Sequence, residues 1–327
     1  MKKKTILIIS LTIVAALLIA GITAGVLLTR DERPGGDGND APVDQAGNGG
    51  DLGDGKEEDG DNKEDGNVVP EPVESVFAVW WWDNRLDESY LDFAAAQGVN
   101  EIYYYASSFS DKISDFIRSA SGKGIKVYWL AGKYEWIEDY ASLKEKLRSF
   151  LEFQTSSEYK FEGVHFDIEP HQHSEFDARR AELITEFVGL TFAVRRDYPD
   201  IYFAYDIPCW LDDEITLNGV TRPAYEFIID NADRVTLMSY RDSAEGVLSF
   251  AEDEINYALS VNKTLNLGVE TGEEEDIVTF YEEGAEYMKE QLDLLCETAP
   301  EGFGIAVHHI RSWRELEERE TSADLAG

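Results

Sequence analysis

The sequence predicts an α/β fold, a (β/α)8 barrel of the TIM type, preceded by an N-terminal transmembrane helix and a disordered acidic stalk. Two observations carry the barrel. From Val76 to about Trp313 a short apolar or aromatic run is followed by a polar stretch with helical spacing, and this unit recurs eight times in about 240 residues. Strands alternating with helices form parallel βαβ units, and eight of them match the roughly 250 residues of such a barrel. A doubly wound open sheet would announce itself by a glycine-rich phosphate turn after its first strand. Here that position reads WWWDNRLDES.

Residues 1–30 begin with three lysines, run apolar and uncharged from Ile6 to Leu28, and close on Arg30. The run is 23 residues long. At about 1.5 Å of rise per residue it crosses a hydrocarbon core of roughly 30 Å. A signal peptide shares these flanks, but its apolar core spans only about 7–15 residues before a small-residue cleavage site. Here the run passes the small residues at 21–25 and continues through Val26-Leu27-Leu28, and no cysteine follows to carry a lipid. The expectation is a single-pass cell-membrane protein with Lys2–Lys4 cytoplasmic and the barrel extracellular, or a secreted barrel if the N-terminus is cleaved.

Residues 31–75 hold 15 Asp or Glu against 3 Lys or Arg, many glycines and almost no large apolar side chain before Val68. Such a segment buries too little surface to offset its ordering entropy, so a disordered linker is expected, with the barrel over 76–320. Of the chain's net charge of −37, the linker carries −12 and residues 1–30 carry +4, which leaves −29 for the rest. That balance excludes nucleic acid and anionic lipid as partners of the barrel, so the membrane is met through the anchor only. Cys209 and Cys296 are too few and too far apart for a disulfide framework, and two buried thiols are expected.

The strand candidates are VFAVWWW (76–82), EIYYYA (101–106), KVYWLA (126–131), GVHFDIE (163–169), IYFAYDI (201–207), RVTLMSY (234–240), TLNLGVE (264–270) and GFGIAVHH (302–309). Between the fourth and fifth, Phe176, Leu183, Phe187 and Leu190 form a helical stripe. Barrel active sites lie at the C-terminal ends of the strands. Those ends bring Trp82, Asp83, Tyr105, Trp129, Asp167, Glu169, His171, Asp206, Tyr240, Arg241, Glu270, His308 and His309 to one rim. It is a rim of carboxylates, aromatics and histidines without a phosphate cradle.

In FEGVHFDIEPHQHSEF (161–176), period-two alternation turns His165, Asp167 and Glu169 to one face and Val164, Phe166 and Ile168 to the other. Two carboxyls two residues apart couple, so one holds its proton to higher pH than the other. That prepares Glu169 as a general acid with Asp167 tuning it, although solvated strand-end acids are the plainer alternative.

The segment Phe161-Glu162-Gly163-Val164-His165-Phe166-Asp167-Ile168-Glu169 resembles the strand-four signature F-D-G-I-D-I-D-W-E of glycoside hydrolase family 18, the chitinase-like barrels. Leu237-Met238-Ser239-Tyr240 resembles that family's M-x-Y on strand six. The resemblance implies that Glu169 is the general acid, that Asp167 orients the substrate N-acetyl group whose oxygen attacks the anomeric carbon, and that Tyr240 hydrogen-bonds the acetamido group. The chain departs from the family at His165, which replaces the middle Asp, at Arg241, and at His308, which stands where a tryptophan forms the subsite floor.

Other constellations stay open. Ile168-Glu169-Pro170 is similar to the Asn-Glu-Pro of the large clan of retaining barrel glycosidases, whose nucleophile, at the end of strand seven, would be Glu270. His171-x-His173 beside Asp167 and Glu169 could ligate a divalent metal in a metal-dependent hydrolase. A family 18-like barrel without turnover would be a carbohydrate-binding surface protein. The expected reading is an extracellular glycoside hydrolase with no cofactor and no metal, acting on a carbohydrate that carries N-acetylated sugars. Its catalytic residues are Glu169, Asp167 and Tyr240, and its substrate contacts are His165, Trp82, Tyr134, Asp206, Trp210, Arg241, Glu270 and His308.

Overall fold

The computed structural model describes residues 75–83 and 85–324. The predicted anchor and nearly all of the predicted linker lie outside them. Among the described residues no helix is long and apolar enough to cross a membrane.

Eight parallel strands close into a barrel. In chain order they are β1 (Phe77–Trp81), β2 (Glu101–Tyr105), β3 (Lys126–Ala131), β4 (Val164–Phe166), β5 (Phe203–Pro208), β8 (Arg234–Met238), β9 (Leu265–Glu270) and β10 (Gly304–His308). β10 pairs with β1, Phe77 beside Ile305, which closes the ring. The antiparallel hairpin β6 (Glu214–Leu217) and β7 (Val220–Pro223) follows β5 and lies outside the barrel sheet.

Helices return the chain after every strand: α1 (Glu88–Ala96), α2 (Asp111–Ser121), α3 (Tyr140–Ser156), α4 (Phe176–Asp197), α5 (Ala224–Asn231), α6 (Ala244–Phe250) with α7 (Glu252–Ser260), α8 (Ala285–Thr298) and α9 (Ile310–Asp324). Their starts follow local chemistry. The Asp87 carboxylate accepts from the Ser89 N–H at 2.9 Å, and Asp139 accepts from that of Ser142 at 3.1 Å, each satisfying a donor that the first helical turn leaves free.

Period two in the strands sorts the core into two layers. Val164, Phe166 and Ile168 join the large apolar cluster between sheet and helices, where Leu183, Ile184 and Phe187 of α4 are fully buried against it. Each such side chain contributes about 1.5–3 kcal/mol on burial. The interior of the barrel holds a smaller cluster with Ala78, Trp80, Tyr103, Tyr128, Leu130 and Ala306. Small residues on some strands leave room for large rings on others.

The fourth strand is shorter than the sequence predicts. It ends at Phe166, although the Asp167 N–H still donates to Ala131 at 3.0 Å. Pro170 has no N–H to continue a ladder and opens a 3-10 turn over Pro170–Gln172. Cys209 and Cys296 are free thiols, but neither is fully buried: Cys209 is half-buried and Cys296 is exposed, on the solvent side of α8.

Candidate active site

The register of β4 against β5 sets Phe166 beside Tyr205. The next residue on each strand, Asp167 and Asp206, therefore stands at the same level at the barrel mouth. Close approach of the neighbouring chain makes this possible. A Cβ on Gly132, which follows β3, would lie 1.9 Å from the Asp167 carbonyl oxygen. On β9, a Cβ on Gly268 would lie 3.1 Å from the Tyr240 ring and 3.3 Å from Trp80, so its absence opens the space both rings fill.

The mouth holds a cavity of about 370 Å³ lined by Trp80, Trp82, Tyr134, Asp167, Glu169 and Tyr240, with Asp206 and His308. That volume is in the range of small-ligand sites. Of the sequence-predicted contacts, Trp82, Tyr134, Asp206 and His308 share this cavity with the three residues expected to be catalytic. Lys133, Gln172 and Met238 also line it. Met238 belongs to the M-x-Y motif, whereas nothing in the sequence pattern marked Lys133 or Gln172; Trp80 was legible, since it lies two residues before Trp82 on the same face.

Burial pushes the Asp167 carboxyl well above the usual carboxylate range, and the charges of Glu169 and Asp206 act in the same direction. One of its oxygens, Oδ1, is buried without a hydrogen-bond partner among the described residues. Burial, then the charge of Asp206, raises Glu169 to about 7, against the opposing effects of His308 and of the Gln172 amide, which donates to Oε2. The Tyr240 hydroxyl is held well above its usual value, first by burial and then by the surrounding carboxylates, so it stays a donor. The cavity thus presents two neighbouring carboxyls that resist ionisation and a phenol that keeps its proton.

His165 does not line the cavity. It is 1% exposed, its Nε2 lies 2.6 Å from Asp206 Oδ1, and its ring stacks on Tyr103 at 3.6 Å. Opposite it in the ladder stands Ala204, which leaves the imidazole room to reach the neighbouring strand. Its partner is therefore Asp206 rather than Asp167. The other Asp206 oxygen accepts from the Trp80 indole at 2.9 Å.

Glu270 lies behind His308 and does not line the cavity. Its Oε2 is 2.6 Å from His308 Nδ1, while Oε1 accepts from the backbone N–H of Thr271 and of Gly272 at 2.7 and 2.6 Å. Burial alone would raise its pKa, but the imidazole and the two amides outweigh it, and the carboxyl lies below its usual value. For His308 burial acts downward, yet Glu270 carries it above its usual value. The two form a half-buried ion pair whose imidazole faces Tyr240 at 5.8 Å and Trp80 at 5.6 Å.

Two sequence-predicted contacts lie elsewhere. Trp210 packs against His171 at 5.4 Å and Phe176 at 5.9 Å, under the Arg180 guanidinium. Arg241 lies over the Phe250 ring at 3.6 Å and donates to the Tyr240 carbonyl. The rim histidines diverge too: His171 Nε2 is 3.4 Å from Glu169, whereas His173 is 3.3 Å from Glu138. Among the described residues no group of three or more His, Cys, Asp or Glu is arranged to hold a metal ion.

No family model and no curated protein matches the chain. Among solved structures it is similar to the glycoside hydrolase domain of PelA from Pseudomonas aeruginosa, at 10% identity over 73% of this chain and 96% of that one, with a TM-score of 0.44. It is similar to the chitinase ICChI from Ipomoea carnea, at 17% identity over 75% and 98% of the two chains, with a TM-score of 0.45. A family 18 chitinase from Cycas revoluta, solved with (GlcNAc)3, is similar at 13% identity over 77% and 100%, with a TM-score of 0.45.

Proposed function

We propose that this chain is a glycoside hydrolase that cuts a glycan at an N-acetylated sugar, with the sugar's own acetamido group as the nucleophile. The observation that carries the reading is the pair at the end of β4. Glu169, raised to about 7, is available as an acid at neutral pH, and beside it Asp167 holds a buried carboxyl oxygen that no described residue satisfies. An acetamido N–H is a donor of the size and polarity that such an oxygen lacks.

In this reading Glu169 gives its proton to the glycosidic oxygen as the bond to the anomeric carbon breaks. The acetamido oxygen bonds to that carbon and forms an oxazolinium ion, its N–H held by Asp167 and its oxygen steered by the Tyr240 hydroxyl. Glu169, now a carboxylate, takes a proton from water as the water oxygen bonds to the anomeric carbon and reopens the ring. The acid is restored and configuration is retained. Trp82 and Tyr134 offer ring faces for the pyranose. The apolar run behind Lys2–Lys4 supports a barrel that works outside the cell, tethered through its N-terminus.

Double displacement through Glu270 is less well supported. A nucleophile needs a carboxylate oxygen free and aimed at the anomeric carbon, and Glu270 has both oxygens engaged and no face on the cavity. Glu169→Gln and Glu270→Gln variants, assayed on N-acetylated and on unacetylated glycans, test the proposal. Glu169→Gln is expected to lower kcat by about 10²–10⁴ on N-acetylated glycans. Glu270→Gln leaves His308 without its charged partner and is expected to cost less. Cleavage of unacetylated glycans that both variants abolish would overturn substrate assistance. Binding without turnover in the unaltered protein would make the chain a lectin.

A further inference from the structure

A second cavity lies beside the catalytic one. It has a volume of about 700 Å³ and runs between the segment Tyr105–Asp111, which enters α2, and one side of α3. The two cavities share a wall, because Gly132 and Lys133 line both. At the same junction the Tyr105 ring of the larger cavity packs on the Trp82 ring of the catalytic one, with centroids 5.7 Å apart. A chain that left the catalytic cavity past Gly132 and Lys133, beyond the end of β3, would meet this groove next.

We infer that the groove is a second glycan-binding site, which holds sugar units of a neutral chain on one side of the bond being cut. The inference rests on the glycosidase reading. Three features fit a neutral polyhydroxylated ligand. Ser107, Ser108, Ser110 and Ser157 face the groove, and none of their hydroxyls hydrogen-bonds another described residue. A hydroxyl both donates and accepts, as a sugar hydroxyl does. Charge is balanced: Lys133, Lys146, Asp111 and Glu152 all line the groove, and among the described residues neither lysine is in an ion pair. An anionic polymer would meet two carboxylates there, and a cationic one two ammonium groups.

Length follows from the helix. Lys146, Ser149, Phe153 and Ser156 recur at helical spacing along the α3 wall. At about 1.5 Å per residue they extend the groove by roughly 15 Å, which accommodates several sugar rings rather than one. The site makes the protein a length-sensitive, internally cutting hydrolase rather than one that takes only a terminal disaccharide.

The test uses the chain with Glu169→Gln, so that ligand is bound and not cut, and two probes, the disaccharide and the hexasaccharide of β-1,4-linked N-acetylglucosamine, titrated calorimetrically. The hexasaccharide is expected to bind at least about tenfold tighter. Adding Ser149→Trp, which puts an indole on the α3 wall, is expected to erase that advantage and leave the disaccharide unaffected. Ser108→Trp on the opposite wall repeats the test should the first variant melt early. Equal affinity for the two probes, or a length advantage that survives both tryptophans, would overturn the groove and leave the catalytic reading standing. Failure of both probes to bind would overturn the two together.

Discussion

The two ends of the barrel interior are both polar, and they are built on opposite electrostatic terms. Where the strands begin, Glu101 on β2 and Arg234 on β8 meet across the barrel at 2.7 Å. The Tyr128 hydroxyl approaches the same carboxylate at 3.5 Å, and Tyr128 packs on Tyr202 at 5.3 Å. One negative charge meets one positive charge under a lid of tyrosines. Where the strands end, Asp167, Glu169 and Asp206 crowd one another, and the imidazoles nearby are already engaged by Asp206 and Glu270. The floor is neutralised and closed, whereas the mouth holds Asp167 and Glu169 in a place where they resist ionising. Strongly perturbed carboxyls in a cleft are the pattern of a working site, and a matched pair sealed beneath it is the pattern of a support.

The largest effect that should separate the two ends is structural. Glu101→Gln would leave Arg234 mostly buried with no counter-charge, and a loss of about 3 kcal/mol is expected in urea unfolding, with kcat per folded molecule unchanged. A fall in kcat without a fall in stability would erase the distinction. The mouth should respond in the opposite sense. Because the folded protein raises Glu169 above the ordinary carboxylate value, ionising it costs stability as pH rises from about 4.5 through about 7. Glu169→Gln removes that cost, so the variant should be more stable than the parent at pH 8 by about 1–3 kcal/mol, and little different at pH 4.5. Thermal melts at the two pH values decide it.

A smaller and finer effect concerns Asp206. Its charge is the second cause, after burial, of the raised Glu169 carboxyl. In the parent, kcat/KM on an N-acetylated glycan should fall above a midpoint near 7 as Glu169 loses its proton. Asp206→Asn should move that midpoint to lower pH, with a loss of about threefold to tenfold at pH 7. A profile that keeps its midpoint would mean that Asp206 serves His165 and Trp80 alone.

Much of this arrangement was legible in the residues. Eightfold recurrence of a short apolar run and a polar helix foretold the barrel, and parity along the fourth run foretold which side chains face inward. The hairpin β6–β7 is no part of the repeat of strand and helix, and the eight strand candidates leave it out. Its signal was nevertheless present: Asn218-Gly219 sits between short alternating runs, and both residues adopt positive φ, 53° and 82°, as the tight turn requires. What no local pattern could give was partnership across strands. His165 was expected to contact substrate, but hydrogen bonds in a barrel run between strands, and its imidazole meets a carboxylate 41 residues away. Trp210 and Arg241 have the right position along the chain and the wrong direction in space, each claimed by an aromatic ring beside it.

Gly132 carries a consequence for anyone who reads this protein through a library of variants. It has no side chain and bears no charge, yet the Asp167 carbonyl occupies the place where its Cβ would be. A single methyl there has to push the third strand's end away from the fourth, and it takes the carboxyl of Asp167 and the shared wall of both cavities with it. An activity screen would score Gly132→Ala among the most damaging changes in the chain, in company with substitutions of the acids themselves. Ranked by chemistry it would look like an anomaly; ranked by the room available to the backbone, it belongs in that company.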